Sequence, residues 1–314
     1  MKVLITGAAG FIGSTLTSRL LAEGHEVVGI DAFTDYYDPR IKRENLRRIS
    51  GSGLRFVEGD INQLDLDPLF ADVEVVYHLA GQPGVRSSWG SEFTRYTRDN
   101  VDATQRMLEA ALHAPRLSRF VYASSSSIYG AATRYPTLET DRPQPFSPYG
   151  VTKLAAEHLC LSYTANHGLP TVAMRFFTVY GPHQRPDMGF ARFSRAVHLG
   201  EAIELYGGGE QVRDFTYVDD VVDANVRVAT ADIAPGSVFN VAGGVETTIN
   251  EVLDLLGEIA GKEVLVKHSG IMPGDATRTG GSTEALHAAT GWSPQTALRV
   301  GLEEQYRCVA ASLA

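Results

Sequence analysis

KVLITGAAGFIG, residues 2–13, decides the fold: an apolar run leads straight into glycines at 7, 10 and 13, and the last of them opens a second apolar-patterned stretch. The pattern reads as a strand over Lys2–Thr6, a tight turn, and a helix over Phe11–Ala22. Gly7, Gly10 and Gly13 let the backbone turn sharply and approach a pyrophosphate, which the unpaired N–H groups of a helix N-terminus stabilise. A second strand, Glu26–Ile30, ends at Asp31, eighteen residues past Gly13. A carboxylate there is placed to accept hydrogen bonds from the ribose hydroxyls of NAD and to repel the 2′-phosphate of NADP.

Outward from this unit the alternation continues. Leu54–Val57, Glu74–Tyr77, Arg119–Ala123 and Thr171–Arg175 read as strands. Between them, Arg98–His113 and Tyr149–Asn166 read as helices, the second with Ser147 as its cap and Pro148 in its first turn. Such βαβ alternation predicts an α/β fold with a doubly wound parallel sheet of Rossmann type. After Thr178 the chain turns to loops rich in Gly, Pro and Arg, with helices near Phe190–Leu199, Asp219–Ala231 and Asn250–Ala260. The expected organisation is a cofactor-binding domain over 1–177, with segments near 215–242 returning to it, and a smaller C-terminal α/β substrate domain over 178–314.

Composition narrows the function classes. With 314 residues, 44% hydrophobic and 21% charged, the chain has the profile of a globular protein. A formal net charge of −9 speaks against a general nucleic-acid binder, although a few arginines can still make a cleft locally positive. Two cysteines, Cys160 and Cys308, are too few for a disulfide framework or a thiolate metal site, so no metal is expected. No segment has the length of a membrane span, and the glycines that interrupt the first apolar run make it a buried strand rather than a targeting signal. The expectation is a cytoplasmic protein.

The chemistry is read from SPYGVTK, residues 147–153. Tyr149 and Lys153 stand four residues apart on one helical face, and an ammonium near a phenol favours the phenolate, drawing the tyrosine towards use as a general base. The serine run SSSSIYG (124–130) follows the strand Arg119–Ala123, which places Ser125 at the carboxyl edge where open α/β sheets bind ligands.

Taken together, GAAGFIG, GDI (59–61), YHLAGQPGVR (77–86), SSSSIYG, SPYGVTK, RFFTVYGP (175–182) and RDFTYVDD (213–220) resemble, in order along the chain, the extended short-chain dehydrogenases/reductases. Within that superfamily the resemblance is to the NAD-dependent nucleotide-sugar epimerases and dehydratases. It implies a catalytic set of Ser125, Tyr149 and Lys153, with Lys153 also holding the nicotinamide ribose. It also implies that Asp60 and Ile61 contact the adenine and that Leu79, Ala80 and Gly81 line the cofactor path beside Gly7, Gly10, Phe11, Ile12, Gly13 and Asp31. The dehydratases and the UDP-glucuronate decarboxylases carry an acid in the serine stretch, whereas residues 124–130 contain no Asp or Glu. That difference implies hydride transfer without elimination, which is epimerisation.

DAFTDYYDPRIKREN (31–45), GQPGVRSSWG (81–90) and RFFTVYGPHQRPDMGFARF (175–193) are most similar to UDP-glucuronate 4-epimerases. The resemblance implies that Ser126, Ser127 and Thr178 bind the sugar carboxylate. Gly84, Val85, Arg86, Arg185, Arg192 and Arg213 become candidates for the UDP-sugar, the arginines for its diphosphate and uridine, with Asp275 a ribose ligand. The same resemblance implies a homodimer formed through the helices Arg98–His113 and Tyr149–Asn166. Three alternatives stay open: a decarboxylase forming UDP-xylose, a 4-epimerase for UDP-glucose or its N-acetyl form, and a non-catalytic NAD-binding regulator.

Overall fold

The computed structural model describes residues 1–49, 52–270, 274 and 276–313. Its centre is a seven-stranded parallel sheet built from β1 (Lys2–Thr6), β2 (Glu26–Asp31), β3 (Leu54–Glu58), β4 (Val75–His78), β5 (Arg119–Ser125), β6 (Thr171–Phe176) and the strand Ser237–Val241. The spatial order is Ser237–Val241, β6, β5, β4, β1, β2, β3, and every neighbouring pair is parallel. The order reverses between β1 and β4, so a crevice opens at the carboxyl ends of those strands.

Both faces of the sheet are covered, which explains why its strands read as continuous apolar runs rather than alternating ones. Val3 and Ile5 point to one face and pack with Leu16 and Leu20 of the helix Phe11–Ala22 and with Val221 and Val222 of the helix Val218–Thr230. Leu4 points to the other face and packs with Met107 and Leu108 of Ala103–Leu112 and with Ala156 and Cys160 of Pro148–His167. Successive residues of a strand alternate between faces, so one tripeptide feeds both cores.

The expected Arg98–His113 helix is longer and not uniform. It starts as α-helix at Phe93–Tyr96, widens to a π-helix over Thr97–Asp102, and returns to α-helix at Ala103–Leu112. Among the described residues, four further α-helices, Pro39–Arg48, Asp67–Phe70, Glu284–Thr290 and Leu298–Leu313, lie in stretches read as loop or left unassigned. The first carried a legible start: the Asp38 side chain accepts a hydrogen bond from Arg40 N at 2.9 Å, and Pro39 occupies the first turn.

Beyond β6 the chain forms short strand pairs: Val179–Tyr180 with Thr216–Tyr217, Ile203–Tyr206 with Val266–Ser269, and Val212–Asp214 with Glu246–Thr248. The helices Gly189–Leu199, Ile249–Ala260 and Leu298–Leu313 pack together beside them. Among the described residues no helix is long and apolar enough to cross a membrane.

Candidate active site

One cavity of about 450 Å³ runs along the carboxyl edge of the sheet from the glycine turn to the serine run. At its first end, Gly7 has φ +71, and a Cβ there would lie 3.0 Å from Ala80 N. A Cβ at Gly13 would lie 2.1 Å from the Gly7 carbonyl oxygen, so neither position accepts a side chain. The result is a shallow cradle of backbone at the start of the helix Phe11–Ala22, shaped to receive a phosphate group.

Asp31 sits at the end of β2, facing this cradle. Its carboxylate accepts from Ala9 N (3.2 Å), Phe33 N (2.9 Å) and Lys42 Nζ (3.1 Å), and both members of the Asp31–Lys42 ion pair are buried. Lys42 comes from the helix that sequence reading missed. Asp60 and Ile61 line the same end, and Asp60 is ion-paired with Arg98.

The next part of the wall is the loop after β4. Leu79, Ala80, Gly81, Gly84 and Val85 all line the cavity. Asn100, in the π-helix, fastens this loop: its Oδ1 accepts from Gln82 N at 2.7 Å, while its Nδ2 donates to Gln82 O and to Thr152 Oγ1. A π-helical turn at a functional wall is a recurrent device for turning a side chain inward. His78 lies beneath, its ring nitrogens hydrogen-bonded to Thr6 and Thr104, and burial pushes its pKa down to about 3, so it stays neutral.

At the far end stand Ser125, Tyr149 and Lys153. The helix Pro148–His167 is started by Ser147, whose hydroxyl accepts from Gly150 N at 3.1 Å. Tyr149 and Lys153 do project from one face. Lys153 Nζ, however, donates to the Ala123 carbonyl at 2.7 Å and lies 5.1 Å from the centre of the Tyr122 ring. The expected depression of the Tyr149 pKa by this ammonium is therefore corrected. Burial raises the phenol, and the groups that pull against burial are the hydrogen-bonded Ser125 hydroxyl and the Arg185 guanidinium. Burial also lowers Lys153, to about 8. Spacing alone shows that two side chains share a face; it does not show where the longer one ends.

Ser126, Ser127, Thr178 and Arg185 complete the cavity around Tyr149. Arg185 thus stands at the Tyr149 end of the cavity, ion-paired with Asp187 at 2.9 Å and 5.9 Å from the centre of the Tyr36 ring. Tyr36 was not a sequence candidate. Its hydroxyl approaches Ser87 Oγ (3.2 Å) at the backbone of Gly84, where φ is +103 and a Cβ would be 2.3 Å from it. The other three arginines do not line this cavity. Arg86 and Arg192 both lie by one ring, 4.2 and 5.8 Å from the centre of Tyr206, and Arg213 is on the strand Val212–Asp214. Asp275 lies outside the described residues.

The backbone cradle, the buried acid after β2 and Lys153 farther along the cavity suit a dinucleotide: Gly7 and Gly13 exclude side chains from the turn, and Asp31 offers an acceptor to a ribose. The remainder of the cavity suits a polyhydroxylated acid, because four hydroxyls (Ser125, Ser126, Ser127, Thr178) and one guanidinium converge there.

Comparison with known proteins agrees with this geometry. The model of the NAD dependent epimerase/dehydratase family matches residues 3–242. A Bacillus subtilis (strain 168) protein described as an uncharacterized UDP-glucose epimerase is 38% identical over 97% of this chain and 96% of its own length. A probable UDP-glucuronate 4-epimerase of Rhizobium meliloti (strain 1021) is 37% identical over 96% of this chain and 95% of its own. Among solved structures, the UDP-glucuronic acid 4-epimerase of Bacillus cereus in complex with UDP-glucuronic acid and NAD superposes with a TM-score of 0.96, at 39% identity and full coverage of both chains. With a family match over most of its length and relatives aligned nearly end to end, this chain belongs to the NAD dependent epimerase/dehydratase family.

Proposed function

We propose that this protein is an NAD-dependent UDP-glucuronate 4-epimerase, interconverting UDP-glucuronate and UDP-galacturonate through a 4-keto intermediate. One observation carries the reading. The cavity that begins at the glycine turn ends in a base candidate, Tyr149, ringed by Ser125, Ser126, Ser127, Thr178 and Arg185, with no carboxylate contributed by residues 124–130. The near-full-length likeness to the Bacillus cereus enzyme supports the same substrate.

In this reading Gly7, Gly10 and Gly13 admit the NAD pyrophosphate, Asp31 and Lys42 hold the adenosine ribose, and Lys153 holds the nicotinamide ribose. NAD, when bound, supplies the acceptor and donor of hydride. Tyr149, as phenolate, takes the proton of the C4 hydroxyl and returns it after the sugar has turned. Ser125 donates to the reacting oxygen. Burial holds the Tyr149 phenol above its ordinary value, and the Ser125 hydroxyl and the Arg185 guanidinium offset part of that rise. Ser126, Ser127, Thr178 and Arg185 bind the C6 carboxylate through charge-assisted hydrogen bonds. Because a 4-keto uronate is a β-keto acid, holding that carboxylate in the plane of the ketone also restrains loss of CO2. Arg86, Arg192, Arg213 and Tyr206 are assigned to the uridine diphosphate, and residues 178–314 to the sugar-binding part of the protein.

We further infer a cytoplasmic homodimer. Support comes from exposed Trp89, Phe93, Phe146 and Val151, two of them on the helices Phe93–Tyr96 and Pro148–His167. Light scattering on a sizing column tests the dimer; a monomer at micromolar concentration refutes it.

The activity test is incubation with UDP-glucuronate and mass analysis of the products. A new isomer of unchanged mass with no net NADH is expected. A product lighter by CO2 means a decarboxylase, and conversion of UDP-glucose alone means that the carboxylate assignment is wrong.

A further inference from the structure

The segment Ser125–Ile128 carries the serines that face the cavity, and both of its flanking residues are tied to one buried ion pair. On the near side, Ser124 Oγ donates to Glu157 Oε2 at 2.6 Å. On the far side, the Tyr129 hydroxyl accepts from Arg175 Nη1 at 2.7 Å and donates to Asn240 Oδ1 at 2.7 Å. Glu157 and Arg175 are joined to each other by two contacts, Nη2 to Oε1 at 2.7 Å and Nε to Oε2 at 3.1 Å. Both are buried, at 1% and 5% exposure.

Three independent elements supply these groups. Glu157 lies one helical turn beyond Lys153, so the two side chains meet the end of β5 together, Lys153 at the Ala123 carbonyl and Glu157 at the Ser124 hydroxyl. Arg175 stands on β6 directly opposite Ser124 in the sheet register. Asn240 comes from the sheet's outermost strand on that side.

We infer that Glu157 and Arg175 are positioning residues for the serine run: acting through Ser124 at one end and Tyr129 at the other, they fix the direction in which Ser125, Ser126 and Ser127 present their hydroxyls to the sugar. Ser125 is the last residue of β5, and beyond it the run is held by a single short 3-10 turn, Ser126–Ile128; catalytic geometry tolerates little drift, since a displacement of about 1 Å can cost roughly a hundredfold in rate. A bidentate arginine–carboxylate pair is planar and rigid, which suits a device that must hold two points at once. Removing water from both charges is unfavourable, and a pair of apolar side chains would fill the space as well. What apolar residues cannot do is grip two hydroxyls.

The inference rests on the epimerase reading for its effect on products, so the test has an arm that does not. Ser124→Ala and Tyr129→Phe each delete one hydroxyl and leave the ion pair intact, which avoids the folding failure expected of Glu157 or Arg175 variants. Amide hydrogen exchange at residues 125–128, followed by mass spectrometry without substrate, is expected to speed up at least about tenfold in each variant, while exchange in β1 and β4 is unchanged. With UDP-glucuronate, kcat is expected to fall roughly tenfold with KM changed less than about twofold. The fraction of pentose product should rise above that of the wild type. Ser124→Thr, which keeps the hydroxyl, should recover most of the lost rate. Unchanged exchange at 125–128 in both variants overturns the clamp, whether or not UDP-glucuronate is turned over. A wild type inert towards UDP-glucuronate, with exchange accelerated in the variants, overturns the substrate reading and leaves the clamp standing. Equal falls in rate and melting temperature, with product partition and local exchange unmoved, assign the pair to stability alone and also overturn it.

Discussion

Lys153→Met is expected to make the cofactor-free protein more stable at neutral pH while abolishing turnover. Burial holds the Lys153 ammonium at about 8, against 10.5 for an ordinary lysine. Below both values each state carries the proton, and the native state bears the whole cost of keeping it, which for this gap is roughly 3 kcal/mol. Methionine fills similar space without the charge. Because the pKa gap already contains the ammonium's own attractions, methionine forfeits only what a neutral amine would make there, chiefly the hydrogen bond to the Ala123 carbonyl and the acceptor it leaves unpaired, together on the order of 1–2 kcal/mol. The net gain is about 1–2 kcal/mol, or a rise in Tm of roughly 2–4 °C. The sign of the pH dependence follows. Between pH 8 and 10.5 the unfolded chain binds the proton and the native chain has released it, so wild-type stability rises with pH across this window. The advantage of the variant must therefore shrink on going from about pH 7 to about pH 10. Thermal melts of both proteins, stripped of nucleotide, at those two pH values are the assay. A variant that melts below the wild type at the lower pH, or a difference that does not change with pH, refutes the reasoning.

Gly13→Ala drives a methyl group to 2.1 Å from the Gly7 carbonyl oxygen, so the turn must open; we expect a loss of roughly 2–3 kcal/mol and at least tenfold weaker NAD binding by calorimetry. Arg185→Met should lower kcat/KM for UDP-glucuronate by roughly 10–100-fold, the size of a lost charge-assisted hydrogen bond, and change UDP-glucose turnover, if measurable, by less than about threefold. Equal losses on both sugars would assign Arg185 to the diphosphate. Tyr149→Phe should reduce kcat by on the order of 10²–10⁴ with NAD affinity within about twofold, and a smaller fall would mean that another group takes the proton. Thr178→Ala is expected to raise the proportion of pentose product; full activity with no added pentose removes Thr178 from the carboxylate site.

The parts of the fold that local chemistry dictates were legible in the sequence. β1 and the helix Phe11–Ala22 have the bounds read from apolar patterning and the three glycines, and Ser147 caps its helix, because each signal acts within a few residues. Pairings over long separations were not. Nothing in DAFTDYYD says that Tyr36 will reach the Gly84 backbone and approach Arg185, nor that Lys42 will neutralise Asp31. The π-helix at Thr97–Asp102 was hidden because its residues fit an α-helical pattern equally well. The Tyr149–Lys153 reading shows a different limit. The shared face was correct, but burial, a property of the assembled molecule, decides the protonation of both groups.

The strand Ser237–Val241 bears on how the molecule comes into being. Its partner β6 is complete at Phe176, yet the residues that cover β6 emerge only after a further sixty or so have been made. During synthesis the ribosome therefore releases a sheet whose growing margin presents unpaired backbone groups, a template for pairing with other chains. A fragment cut before residue 237 would leave the outer edge of β6 without its partner and remove Asn240 from Tyr129, so division at the change of rhythm near residue 178 would part a strand from the sheet it completes.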